Sequence, residues 1–309
     1  MAGLALLVCG AALLVACGEE TGPDGLPLEV MGPAEARTGR AQAPELRREG
    51  ERLYALYCTG CHGEKGDGNG PAARFLDPKP RDFTSGLFKY AAVEAGELPR
   101  DEDLMRTLRR GLAGSSMPSW QFLPEESRRV LVEYIKIFFP AWREHGPGAP
   151  IAVSPDPYGT DDPATIRRAV ERGRVVYHAW ATCWQCHASY ATQAEVSAMS
   201  KVEWDEDMEL RPDAGQPMVV EDAWGGTLLP PDFTRQRMKS GSSLEDFYRT
   251  IAAGVGGTAM PTWKGALEEQ DLWALAYYVK SLADQRWRQM HVVPAQPPIT
   301  MASGHTEVK

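Results

Sequence analysis

Two short stretches of this 309-residue chain carry chemically active residue types at a fixed spacing: CTGCH at 58–62 and CWQCH at 183–187. Each reads Cys-x-x-Cys-His. On a helical turn, cysteines three apart lie on one face, where their thiols can form thioethers to the two vinyl groups of a haem. The next residue then points an imidazole at the iron, and this is the attachment motif of c-type haem. Zinc would want four clustered Cys/His ligands per site, and a thioredoxin-like redox pair sits in a βαβ setting. The sequence offers neither. Cys58, Cys61, His62, Cys183, Cys186 and His187 are therefore the candidate residues for binding two haem c groups.

The elements that must position these motifs repeat. DLMRTLRRGLAGSSMPSW (103–120) aligns without a gap to DFYRTIAAGVGGTAMPTW (246–263), at a constant offset of 143. Upstream, RDFT (81–84) matches PDFT (231–234); downstream, VLVEYIK (130–136) matches ALAYYVK (274–280). Two copies are too few for a solenoid and indicate tandem duplication of one small domain. Pro124-Glu125-Glu126 suits a helix start, with acids at the positive end of the dipole. Val130, Leu131, Tyr134, Ile135 and Phe138 follow on one face, as do Leu272, Leu275, Ala276, Val279 and Leu282 in the second copy. No stretch alternates with period two, so an all-α protein is expected.

Each copy resembles a class I c-type cytochrome domain, over about residues 45–139 and 164–284. The resemblance implies two tandem helical domains, each wrapped around a covalently bound haem. It also implies a distal methionine on a later loop, commonly followed by proline. Carried over residue by residue, this pairs His62 with Met117 and His187 with Met260, leaving no catalytic residue. Both methionines follow a glycine-bearing loop and precede Pro-x-Trp, in register. Gly256 and Gly257 would let the backbone approach the porphyrin, and a thioether raises the iron potential. Pro71, in the Gly-rich turn after His62, is a candidate carbonyl acceptor for the His62 Nδ1–H. Arg81 is a candidate partner for a haem propionate. The second copy has no such turn after His187, so its pocket must be built differently. His178 reads as an ordinary helix residue.

Composition places these domains. Hydrophobic residues make up 43% and charged residues 24%, as in a soluble globular protein. A net charge of −9 excludes a nucleic-acid partner. Residues 1–16 are apolar and uncharged, too short to span a membrane and suited to an export signal. They end in Leu14-Val15-Ala16-Cys17, which resembles the lipobox of bacterial lipoproteins and makes Cys17 the lipid anchor. Gly18 follows rather than Asp, which by that analogy favours the outer membrane, facing the periplasm. Residues 17–43 form a lipidated flexible tether spanning roughly 25–30 Å. Domain 1 is then 44–139, a Pro-rich linker 140–163, domain 2 164–284 and a tail 285–309.

Domain 2 carries an insertion at about 195–222 with nine acids against Lys201 and Arg211, a net of −7. It reads either as a dock for a basic redox partner or as a solvated surface. The function expected is electron transfer between respiratory redox proteins. The alternative is a haem subunit or an enzyme with one labile distal ligand, such as a dihaem peroxidase or a small-molecule oxidoreductase.

Overall fold

The computed structural model describes residues 44–159 and 161–291, with side chains as far as 285. The export signal, Cys17, the tether and most of the tail lie outside the described residues. The first half holds α1 (Pro44–Tyr57), α2 (Thr59–His62), α3 (Asp101–Arg110), α4 (Glu125–Lys136) and α5 (Ala141–His145). The second holds α6 (Pro163–Val175), α7 (Gln193–Trp204), α8 (Leu244–Ala253) and α9 (Glu269–His291). Among the described residues the only sheet is a two-stranded antiparallel ribbon, β1 (Val220–Glu221) with β2 (Thr227–Leu228), Val220 opposite Leu228. The fold is all-α. No helix among the described residues is long and apolar enough to cross a membrane.

The helix ends follow local chemistry. In α3, Asp101, Glu102 and Asp103 occupy the first turn and Arg109 and Arg110 the last, each sign at the pole that favours it. In α8 the Ser243 hydroxyl accepts from the Asp246 N–H (3.1 Å) while the Asp246 carboxylate accepts from the Ser243 N–H (3.3 Å). That is a capping box. The α4 helix begins at Glu125 with Pro124 just outside it, one residue later than the sequence suggests.

Buried side chains gather in two clusters, one per half. Leu53, Tyr54, Leu131 and Ile135 belong to the first; Val176, Tyr177, Leu272 and Leu275 belong to the second. In each, an N-terminal helix crosses a C-terminal one where a glycine meets a tyrosine. A Cβ on Gly50 would lie 2.8 Å from Tyr134 Cβ, and one on Gly173 2.7 Å from Tyr278 Cβ. The stretch between the halves is bonded on both sides. Ile151 N–H donates to the Ala92 carbonyl (2.7 Å), and Ser154 Oγ bonds Tyr248 OH (2.9 Å).

Candidate haem sites

Both Cys-x-x-Cys-His motifs close the same turn. The His62 N–H donates to the Cys58 carbonyl (2.8 Å), as the His187 N–H does to the Cys183 carbonyl (2.8 Å). None of the four motif cysteines is in a disulfide. Burial pushes the Cys58 and Cys183 thiols up to about 12. Each turn is anchored to the helix before it by a tyrosine. Tyr54 OH donates to the Gly63 carbonyl (2.9 Å) and Tyr177 OH to the Ala188 carbonyl (2.8 Å), each acceptor directly after the motif histidine. Tyr54 lies four residues before Cys58 but Tyr177 six before Cys183. A π turn over Val176–Trp180 and a left-handed Thr182 (φ 45°) absorb the two extra residues.

Each histidine is held in one orientation from the side opposite its Nε2. His62 Nδ1–H donates to the Arg81 carbonyl (2.9 Å), and His187 Nδ1–H to the Pro231 carbonyl (3.1 Å). Phe83 stacks on His62 at 4.5 Å and Phe233 on His187 at 4.8 Å. The Asp between carbonyl and ring fixes this piece: Asp82 accepts from Thr84 N (2.8 Å) and Asp232 from Thr234 N (2.9 Å). The acceptor expected at Pro71 is thus the carbonyl of residue 81. Arg and Pro can alternate at 81 and 231 because the main chain does the work. Burial lowers the pKa of both imidazoles and keeps them neutral. A neutral ring with Nδ1–H engaged leaves its lone pair on Nε2, the form a metal needs.

The two methionine loops share one pattern of hydrogen bonds. Leu112 N–H donates to the Met117 carbonyl (3.1 Å) and Val255 N–H to the Met260 carbonyl (3.2 Å). Ser115 Oγ accepts from Met117 N (3.3 Å) and Thr258 Oγ1 from Met260 N (3.2 Å). Gly111 (φ 65°) and Gly254 (φ 75°) turn the chain out of their helices in the left-handed region. Met117 and Met260 are partly buried, each packed against its own half's cluster. Gly256 and Gly257 also lie against protein: a Cβ on Gly256 would strike the Phe88 carbonyl and one on Gly257 the Trp224 indole.

The pocket of the second half is built differently around His187. In the first half the Gly-rich turn folds back: Gly68 N–H donates to the His62 carbonyl (2.9 Å) and Gly70 N–H to the Cys61 carbonyl (3.1 Å). In the second, the acidic insertion supplies the same bonds. Met218 N–H donates to the Cys186 carbonyl (2.8 Å), and Arg211 donates to the Trp184 (3.1 Å) and His187 (3.3 Å) carbonyls. In the sequence Arg211 counts only as a charge. A cation inside an acidic insertion was the one available signal that it bonds inward.

His178 is fully buried on the π turn, its Nδ1–H donating to the Arg174 carbonyl (2.8 Å). Its Nε2 has no partner among the described residues, and burial lowers its pKa to about 4.

These surroundings fit a covalently held haem. Each motif combines two free thiols on one turn with an oriented imidazole. Near Met117, the buried Trp120 Nε1–H has no acceptor among the described residues, and haem carboxylates are acceptors. A zinc site would need a convergent ligand set, and no group of three or more His, Cys, Asp or Glu converges among the described residues.

Comparison with known proteins agrees. The family model described as cytochrome c oxidase, cbb3-type, subunit III matches residues 45–135 and 168–279, so the chain belongs to this family of c-type cytochromes. It is also similar to a chain of the reducing HAO-like protein complex of Kuenenia stuttgartiensis. The identity is 32% and the TM-score 0.61, over 76% of this chain and 95% of that one. No curated protein matches. The chemistry of the family is electron transfer through covalently bound haem.

Proposed function

We propose that this protein is a membrane-anchored dihaem electron carrier, attached through lipidated Cys17 on the periplasmic side. Domain 1 (44–139) holds one haem through Cys58, Cys61, His62 and Met117. Domain 2 (164–284) holds the other through Cys183, Cys186, His187 and Met260. The observation that carries the reading is the duplicated clamp: a main-chain carbonyl on Nδ1 and a Phe ring on the imidazole, in both halves. When bound, each haem c supplies an iron that exchanges one electron without binding a substrate. His62 and His187 are kept neutral and oriented by burial and by their carbonyl partners. Met117 and Met260 offer soft, neutral sulfur from loops whose shape their own hydrogen bonds fix, which favours a high potential.

The similar chain belongs to a complex of two proteins. This supports work alongside a second protein, and the exposed acids of the insertion suit a basic redox partner docked by charge. The test is the oxidised visible spectrum with the Met–Fe(III) charge-transfer band counted per chain, beside the intact mass. Two haems and two band equivalents are expected. Met260→Ala should remove one equivalent and leave the other. One equivalent in the wild type, or a high-spin haem, would instead favour the enzyme with a labile distal ligand.

A further inference from the structure

One indole lies where the two candidate haem sites meet. Trp224 belongs to the tight turn joining β1 to β2, at the end of the insertion that only the second half carries. Asp222 builds that turn, accepting from Trp224 N (3.1 Å) and Gly226 N (3.0 Å). From the first half, the Arg81 guanidinium sits over the indole at 3.8 Å and the Lys89 ammonium at 5.1 Å. Lys89 also reaches Asp222 at 3.9 Å. Arg81 forms no ion pair among the described residues; the indole face lies against its guanidinium, with the charges of Asp222 and Asp82 acting on it from further off. From the second half, the turn of Gly257 presses on the indole so closely that a Cβ there would lie 2.7 Å from Trp224 Cζ3. Ala223 N–H donates to the Gly257 carbonyl (3.0 Å), fixing that approach.

These contacts end on two different centres. Arg81 gives its carbonyl to His62 Nδ1–H (2.9 Å), and Gly257 lies three residues before Met260 in its loop. A second strut runs parallel, from Gly256 N–H to the Lys89 carbonyl (3.2 Å). We propose that Trp224 is a positioning residue that couples the two redox centres, holding the His62 side of one haem site and the Met260 loop of the other with a single ring. The inference rests on the dihaem reading above. It adds a directional claim: loss of the indole disturbs the proximal side of the first site and the distal side of the second. The settings of Met117 and His187 should stay as they are, since among the described residues neither shares a hydrogen bond or ring contact with this indole.

The test uses the full-length holoprotein and reads potentials and spectra. Spectroelectrochemical titration of Trp224→Ala should shift both midpoint potentials, and the Met–Fe(III) band should fall toward one equivalent per chain. Trp224→Phe, which keeps an aromatic face, should restore both towards the wild type. Arg81→Met should shift the first haem's potential and leave the Met260 band intact. In Trp224→Ala, potentials that move at one haem only, or at neither, overturn the coupling while leaving the dihaem reading in place. A wild type without two one-electron steps overturns both. If the Ala variant fails to load haem, the Phe and Arg81→Met variants decide: unchanged potentials in Arg81→Met sink the proposal.

Discussion

At the scale of single residues, the site is arranged so that side chains do chemistry and main chain does the holding. His62 and His187 owe their orientation to carbonyls, which tolerate Arg at 81 and Pro at 231 alike. His178 shows the opposite economy, a fully buried imidazole whose Nε2 has no partner among the described residues. Its pKa, lowered by burial from 6.5 to about 4, means the unfolded chain takes up a proton that the native one refuses. Stability is therefore full above pH 6.5 and lost as pH falls toward 4. At 1.36 kcal/mol per unit the loss is about 3 kcal/mol at most. Urea midpoints followed between pH 7 and 4 should show this decline, and His178→Leu should flatten it. A decline of equal slope in the variant would place the titration elsewhere.

At the scale of elements, each half rests on one helix crossing. Gly50 and Gly173 let α1 and α6 lie against the tyrosines of α4 and α9. Tyrosine rings then meet along the crossing, Tyr54 tilted against Tyr134 at 5.4 Å and Tyr177 edge-on to Tyr278 at 5.5 Å. Overpacking such a contact costs about 1–3 kcal/mol. Gly173→Ala should lower the unfolding free energy by that amount and the urea midpoint with it, because the added methyl meets the α9 backbone as well as a side chain. A midpoint equal to the wild type would mean the helices separate freely. The loops between helices matter as much. In one half a glycine turn, and in the other an arginine-bearing insertion, satisfy the same carbonyls behind the motif.

At the scale of the whole molecule, the halves are joined by polar contacts, one of which rests on a buried carboxylate. Arg110 of α3 reaches Asp246 of α8 at 2.7 Å, and Ala95 N–H donates to Thr262 Oγ1 (2.9 Å). Burial alone would raise the Asp246 pKa; hydrogen bonds from Arg110 and Ser243 outweigh it and hold the carboxylate below its usual 3.8. Its stabilising contribution is present above the usual carboxylate range and disappears as pH drops through the lowered value. Asp246→Asn should cost about 2–3 kcal/mol, since it leaves buried donors poorly paired. Arg110→Gln should cost about 1 kcal/mol or less, its side chain being half-exposed. Equal losses in the two variants would show that the inter-half pair alone matters.

Charge on the insertion is divided as well. Glu195, Glu203, Asp205, Asp213 and Asp222 pair within the molecule. Glu206, Asp207, Glu209 and Glu221 are exposed and form no ion pair among the described residues. Neutralising those four should slow association with a basic redox partner at low salt and weaken its salt dependence. Stopped-flow rates measured against ionic strength check this. An unchanged slope would mark the insertion as structural only.

The sequence by itself determined two Cys-x-x-Cys-His motifs, the duplicated register around Met117 and Met260, and an all-α fold. These were legible because they are local. A helical turn sets the cysteine spacing, and a 3.6-residue period sets the buried faces of α4 and α9. What only the tertiary structure decided involves partners far apart in the chain. The carbonyls that orient the histidines lie 19 and 44 residues away. Arg211 bonds carbonyls 24 and 27 residues before it, and Trp224 meets Arg81 across the halves. No side-chain pattern announces a backbone carbonyl or an indole's neighbour. Such contacts arise when packing brings distant backbone together, and that is where the molecule turned two copies of one motif into two different sites.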